Sequence, residues 1–178
     1  LIADALSDCF VRAPIDNDIC SSEVDNPSPD AWLAIWQKAG LFDLEHHCRS
    51  VDVRGNVVVS QHEYTALGGV LIRSQWTHRF DADGAVNIDV EVSKETPDLP
   101  LPRVGARLLL TQKPPSVAWV GRGPHENYPD RKQSADLGAW SCSRQAMQTP
   151  YIFPSENGLR CDAQLAQVGQ VQVERIKD

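Results

Sequence analysis

Three carboxylates, Glu126, Asp130 and Glu156, stand in two segments crowded with glycine, proline, asparagine and aromatic residues. The segments are Gly121–Arg131, GRGPHENYPDR, and Thr149–Cys161, TPYIFPSENGLRC. Two carboxyl groups about 5 Å apart are what a retaining glycosidase needs, one as acid/base and one as nucleophile. Each of these three, however, sits beside Pro or Asn. In such turns a carboxylate more often satisfies backbone N–H groups or pairs with a guanidinium. Arg122, Arg131 and Arg160 are at hand, so ion-paired turns are expected rather than catalysis. Gly121, Gly123 and Pro124 form an incomplete GxG with neither a third glycine nor a Lys-Ser/Thr behind it, which predicts tight turn geometry and no phosphate cradle. His125, next to Glu126, is a candidate for proton transfer, although a lone histidine in a glycine-proline turn is more often structural. His46, His47 and Cys48 are adjacent and could ligate a metal. Zinc signatures need a second ligand pair at defined spacing, and none follows, so an exposed polar turn ahead of a strand is expected there. No Ser/His/Asp or Cys/His constellation is legible. No catalytic, substrate-binding or metal-binding residue is therefore assigned.

The elements that must position these segments are mostly strands. Ser28-Pro29-Asp30 reads as a helix start, with Pro at the first position and an acid near the positive end of the dipole. Trp32, Leu33, Ile35, Trp36 and Ala39 recur at helical spacing, and Gly40 is a stop. The two tryptophans are expected to form the buried stripe of that one short helix. Val51, Val53, Val57 and Val59 flank a Gly55-Asn56 turn. Leu71–Phe80 alternates, with Ile72, Ser74, Trp76, His78 and Phe80 on one parity. Asp81–Gly84, DADG, is a hairpin signal. Val86, Ile88, Val90 and Val92 then alternate with polar residues, as in a strand with one wet face. Thr96–Pro102 breaks the run. Val104–Thr111 and Val117–Val120 read as two further strands, and Val168, Val171 and Val173 as a last one. Short strands, frequent turns and one helix predict a mostly β fold, an antiparallel β-sandwich.

The 178 residues predict a single domain, 1–178, with room for a substantial core. A net charge of −7 argues against a nucleic-acid surface, which needs clustered Lys and Arg. No polybasic run or apolar stretch points to a membrane. The opening LIADALSDCF has no basic leader pattern, and its first residue is not Met, so a processed or excised segment is expected. The five cysteines, Cys9, Cys20, Cys48, Cys142 and Cys161, are odd in number and contain no CxxC. Reduced, mostly buried thiols in a cytoplasmic protein are the expectation.

The two glycine-rich blocks resemble the C-terminal β-sandwich domain of the large bacterial β-galactosidases of glycoside hydrolase family 2. Phe10–Ile19, FVRAPIDNDI, is similar to the segment that opens that region. Asp30–Gly40, DAWLAIWQKAG, resembles its tryptophan-bearing helix, and Asp89–Pro97, DVEVSKETP, a strand and its exit turn. The resemblance runs in order from about Leu6 to Gly169. It implies a supersandwich of the galactose-mutarotase kind. It also implies a parent enzyme that hydrolyses terminal β-D-galactosides such as lactose with retention, through glutamates of a TIM barrel that no residue here matches. The parent's Mg²⁺, often with Na⁺, is expected on other domains, with no cofactor in this chain. Other domains of the parent and a homo-oligomer are the implied partners. The family tryptophan that lines the sugar cleft follows a glycine matching Gly169 by four residues, and that position here is Val173. The expectation is an incomplete domain, inactive alone, that walls the pocket and scaffolds the subunit. Tyr128, Tyr151 and Phe153 are expected to fix the long loops. Two other readings stay open. One is a free-standing carbohydrate-binding module using Trp76, Trp119 or Trp140; the other is a mutarotase-like epimerase using His125.

Overall fold

The computed structural model describes residues 2, 4, 6–20, 30–153 and 155–176. They divide into two compact units, Ser7–Arg107 and a second made of Leu1–Leu6 with Leu108–Asp178. Both are built on antiparallel sheet, in agreement with the mostly β class expected.

In the unit Ser7–Arg107, four long strands form a meander: β2 (Glu45–Arg54), β3 (Val57–Ala66), β4 (Gly69–Phe80) and β5 (Val86–Lys94) pair in sequence order. The hairpins fall at Gly55-Asn56 and Asp81–Gly84, as the turn residues dictate. A two-stranded ribbon pairs β1 (Ser7–Cys9) with β6 (Gly105–Arg107). Two short helices lie in between, α1 (Asp16–Ile19) and α2 (Trp32–Lys38). The extra helix α1 exists because Asp18 reaches back to accept from the Ile15 N–H at 2.8 Å and is itself clasped by Arg12. A one-turn helix held by side chains leaves no periodicity to detect.

The period of two sorts this sheet into unlike faces. One is wet and laced with ion pairs: Glu63 joins Arg49 and Arg73, and Arg79 joins Asp89. The other carries rows of cross-strand neighbours. The first is His46, Tyr64, Ile72 and Lys94; then come Cys48, His62, Ser74 and Val92. The rows Val51, Ser60, Trp76, Val90 and Val53, Val58, His78, Ile88 follow, and Phe80 opposite Val86 ends the face. The middle of the first rows is covered, while His46 and Cys48 at the β2 end of each are exposed. Tyr64 and Ile72 join Phe10, Trp36, Leu41 and Leu99 in the core, and Ile72 is fully buried. The last rows are open: Val51, Val53, Phe80 and Val86 are 60, 64, 47 and 42% exposed.

The sequence placed both helix tryptophans in the core. Trp36 is buried and donates from Nε1 to Pro100 O at 3.0 Å, whereas Trp32 is 49% exposed. The reason is length: seven helical residues bury one turn's worth of stripe. Ser28 and Pro29, read as the helix start, lie outside the described residues. Gly40 ends the helical run in the left-handed region, φ 74°. His46, His47 and Cys48 lie inside β2 rather than in a turn, because β2 begins at Glu45.

In the second unit, β7 (Ser116–Gly123) pairs with β8 (Asp136–Ser143) on one side and β9 (Leu165–Val168) on the other, and β10 (Val171–Glu174) completes the order β10-β9-β7-β8. The valines at 168, 171 and 173 belong to a hairpin, two strands and not one. Val173 lies on β10, 58% exposed. Of the predicted strand Val104–Thr111 only Gly105–Arg107 forms, with an isolated bridge between Ile2 and Leu110 beyond it. No disulfide joins the cysteines. Cys161 is buried, Cys48 is exposed and the other three are in between, so the thiols are less buried than expected. No helix among the described residues is long and apolar enough to cross a membrane.

Candidate functional site

The glycine-rich blocks meet in the second unit as two irregular loops tied side chain to backbone. Gly121 and Gly123 are not a turn but the end of β7. A Cβ on Gly123 would lie 2.6 Å from Trp140 Cδ1, and one on Gly121 would lie 2.8 Å from the Ala163 backbone. The glycines are there so that an indole and a neighbouring chain can lie flat on the strand. Trp140 Nε1 donates to Gly121 O at 3.2 Å, which fixes the ring in that position.

Beyond the strand, Asn127 is the hub. It is fully buried. Its Oδ1 accepts from Cys161 N at 2.8 Å, its Nδ2 donates to His125 O at 3.0 Å, and its own N–H donates to Leu159 O at 2.9 Å. Loops without secondary structure must satisfy their backbone groups in this way when they are buried.

Glu126 is the second tie. Its carboxylate accepts from Arg131 Nη2 at 2.8 Å, from Gly158 N at 2.9 Å and from the Tyr151 hydroxyl. Burial pushes the acid up, but the bonds from Tyr151, Gly158, Thr149 and Arg131 outweigh it and hold Glu126 below the usual carboxylate range. The side chain is 8% exposed. An ionised carboxylate with its acceptor sites filled is suited to holding loops together and unsuited to giving up a proton near neutral pH. Arg131 also donates to Tyr151 Oη and lies 4.8 Å over the Tyr128 ring. Gly158, in the left-handed region at φ 83°, presents its N–H to Glu126; a Cβ there would strike Met147 O at 2.7 Å.

The other predicted residues fall around this frame. Arg122 pairs not with a block carboxylate but with Asp162, at 2.6 Å, and also donates to Ala135 O. Lys132 reaches the other Asp162 oxygen at 2.9 Å, so the two cations hold that acid below its ordinary value. Arg160 donates to the carbonyls of Pro124, Gly158 and Leu159 and covers the Trp119 ring at 5.1 Å. Asp130 is exposed, and Glu156 is partly buried with its carbonyl facing Tyr128 Oη at 3.5 Å. His125 is exposed, its Nε2 3.1 Å from Ser134 Oγ. Tyr128 and Tyr151 tie the loops as expected. Phe153 does not: it is 58% exposed, next to a fully exposed Ile152, because the chain turns outward there.

Of the three tryptophans named as sugar platforms, two are buried and the third, Trp140, is half-buried. Trp76 and Trp119 are 3 and 4% exposed, and Trp140 lies against Gly123 and Gly138. Among the described residues no group of three His, Cys, Asp or Glu is arranged to hold a metal, His46, His47 and Cys48 included.

Sequence reading missed one polar cluster, in the unit Ser7–Arg107. Asp8 Oδ2 accepts from Tyr64 Oη at 2.7 Å, Ser74 Oγ at 2.5 Å and Trp76 Nε1 at 3.0 Å. Burial and the Asp8 bond push the Tyr64 hydroxyl far up. The only signal was that Ser74 and Trp76 share a parity on β4; nothing local pointed to an acid 66 residues away.

A family model described as Beta galactosidase small chain matches residues 1–175. A Beta-galactosidase of Aeromonas hydrophila subsp. hydrophila is 46% identical over 98% of this chain and 18% of the relative. One from Klebsiella pneumoniae strain 342 is 45% identical over 94% of this chain and 17% of the relative, and one from Psychromonas ingrahamii 45% over 93% and 16%. The chain thus spans less than a fifth of the length of the curated relatives it matches. By this match along nearly its whole length, the chain belongs to the beta galactosidase small chain family.

Proposed function

We propose that this chain is a structural part of a β-galactosidase: it walls the substrate pocket and stabilises the assembled enzyme, and it carries no catalytic residue of its own. The enzyme would hydrolyse terminal β-D-galactosides such as lactose with retention, in the cytoplasm, as a homo-oligomer. Mg²⁺, with Na⁺, would be held by its other domains. The observation that carries this reading is the half-covered sheet face. Val51, Val53, Phe80 and Val86 continue the same face as the buried Tyr64 and Ile72, yet stand open. Burying such side chains stabilises by about 25 cal/mol per Å², and an apolar face of this kind marks a contact surface. More than four fifths of each relative's length lies outside the match and can supply the cover. In the other unit, the locked loops present Tyr151, Ile152 and Phe153 outward, a second surface suited to the parent's barrel.

The test is complementation. The Aeromonas hydrophila enzyme without its matching segment should regain β-galactoside hydrolysis when this chain is added. Val53→Asp with Phe80→Asp should abolish the rescue while leaving the chain folded by circular dichroism. Rescue that survives both substitutions would remove the docking role. A saturable tryptophan-fluorescence change on titrating the chain alone with galactose would instead favour the carbohydrate-binding module.

A further inference from the structure

The meander has two edges, β2 and β5. Along β2 every residue but His47 is exposed, and among the described residues no strand pairs with its outer side. Antiparallel neighbours alternate between pairs that exchange backbone hydrogen bonds and pairs that do not. Arg54 and Val57 close the two-residue turn at Gly55-Asn56, which makes them a bonded pair; Asp52 and Ser50 follow in step. The backbone groups of Val53 and Val51 therefore turn to the open side. Arg49 is an extra residue, without a partner of its own between Cys48 and Ser50. Such a bulge shifts the alternation by one, so beyond it Cys48 and His46 turn outward. The outward set is thus symmetric about the bulge, and its four members share the sheet face of Tyr64 and Trp76.

We propose that β2 pairs antiparallel with β2 of a second copy of this chain, about a two-fold axis between Arg49 and Ser50, joining two four-stranded sheets into one. Both sides of the contact belong to this chain, so the pairing stands apart from the enzyme reading. Only one register pairs all ten residues. It sets Glu45 opposite Arg54, His46 opposite Val53, His47 opposite Asp52 and Cys48 opposite Val51, each pair occurring twice. Outward backbone groups then meet outward ones. His46, Cys48, Val51 and Val53 meet on one face, and on the other each acid meets a basic residue or a histidine, as cross-strand neighbours prefer. A bulge ordinarily spoils an edge for pairing, but here it falls on the axis and recurs in both strands. A contact of this isologous kind closes at two copies. The other edge fails the same test: full-length self-pairing of β5 would set Asp89 opposite Glu91 twice. Pairing at the β2 edge leaves the open sheet face uncovered and brings Val51 and Val53 of the two copies onto one continuous face.

The test is sedimentation velocity of the 178-residue chain over a concentration series, with amide exchange followed by NMR. The expected result is a reversible monomer–dimer equilibrium in which the amides of His46, Cys48, Val51 and Val53 exchange more slowly as the dimer fills. Glu45→Arg should weaken dimerisation about tenfold, because two attractive pairs become repulsive. Adding Arg54→Glu should restore it, since the swapped charges are again complementary in this register. The two side chains are 79 and 82% exposed, so neither variant disturbs the core. A chain that stays monomeric at NMR concentrations, a dimer indifferent to Glu45→Arg, or a double variant that fails to recover would each overturn the pairing.

Discussion

The two units solve the problem of backbone satisfaction differently. In Ser7–Arg107, strands that are neighbours in sequence are neighbours in the sheet, and the hydrogen bonds come from ladders. In the second unit the blocks at 121–131 and 149–161 have almost no ladder; they are joined across some thirty residues by Asn127 and Glu126. Regular sheet distributes its stability over many equivalent bonds, whereas the loops concentrate theirs in a few side chains. The first arrangement tolerates the loss of a surface contact. The second fails at its hubs, and so it can hold a non-repetitive shape that sheet cannot provide.

Substitutions separate the two. Ile72→Ala, at a fully buried position, should cost about 3 kcal/mol by denaturant unfolding through lost transfer energy and a cavity. Asn127→Ala should cost nearly as much, about 2–3 kcal/mol, since it strands the Cys161 N–H in a buried place. Its signature differs: proteolysis should begin in 149–161 before the meander unfolds. If Asn127→Ala melted both units together, the contrast would be wrong.

Glu126→Gln is expected to be milder, about 1–2 kcal/mol, because the amide keeps part of the geometry. Its sharper readout is pH. The wild-type carboxyl is held below its ordinary value, so its contribution is full above the unfolded carboxylate range and is lost as pH falls through the depressed value. The variant should flatten that acid limb; an unchanged limb would show that Glu126 is not the hub. Smallest of all, Val53→Thr on the open end of the sheet face should shift stability by less than about 0.5 kcal/mol in this chain alone. A larger loss would mean that the face is already covered.

What could be read in advance follows the same division. The valine alternation in β5, the Gly55-Asn56 and Asp81–Gly84 turns and the helix at Trp36 were legible because period and turn chemistry are local. The strand β8 was not, since Leu137–Ser143 mixes small and polar residues whose pairing is set by β7 opposite. Of the loops, an arginine–carboxylate tie was foreseen, and Arg131–Glu126 is one, but which arginine meets which partner was not legible. Asp162 and the carbonyls of Pro124, Gly158 and Leu159 become neighbours only once the chain has folded back. The Asp8 cluster was invisible for the same reason.

The claim that the open sheet face is a docking surface can be measured directly. In a Cys48→Ser background, Val53→Cys places a thiol reporter on that face. Its labelling rate would be followed in the chain alone and after addition of the Aeromonas hydrophila polypeptide lacking the matched segment. Fast labelling alone and protection by at least about tenfold in the mixture is the predicted result. Equal rates in both would contradict it.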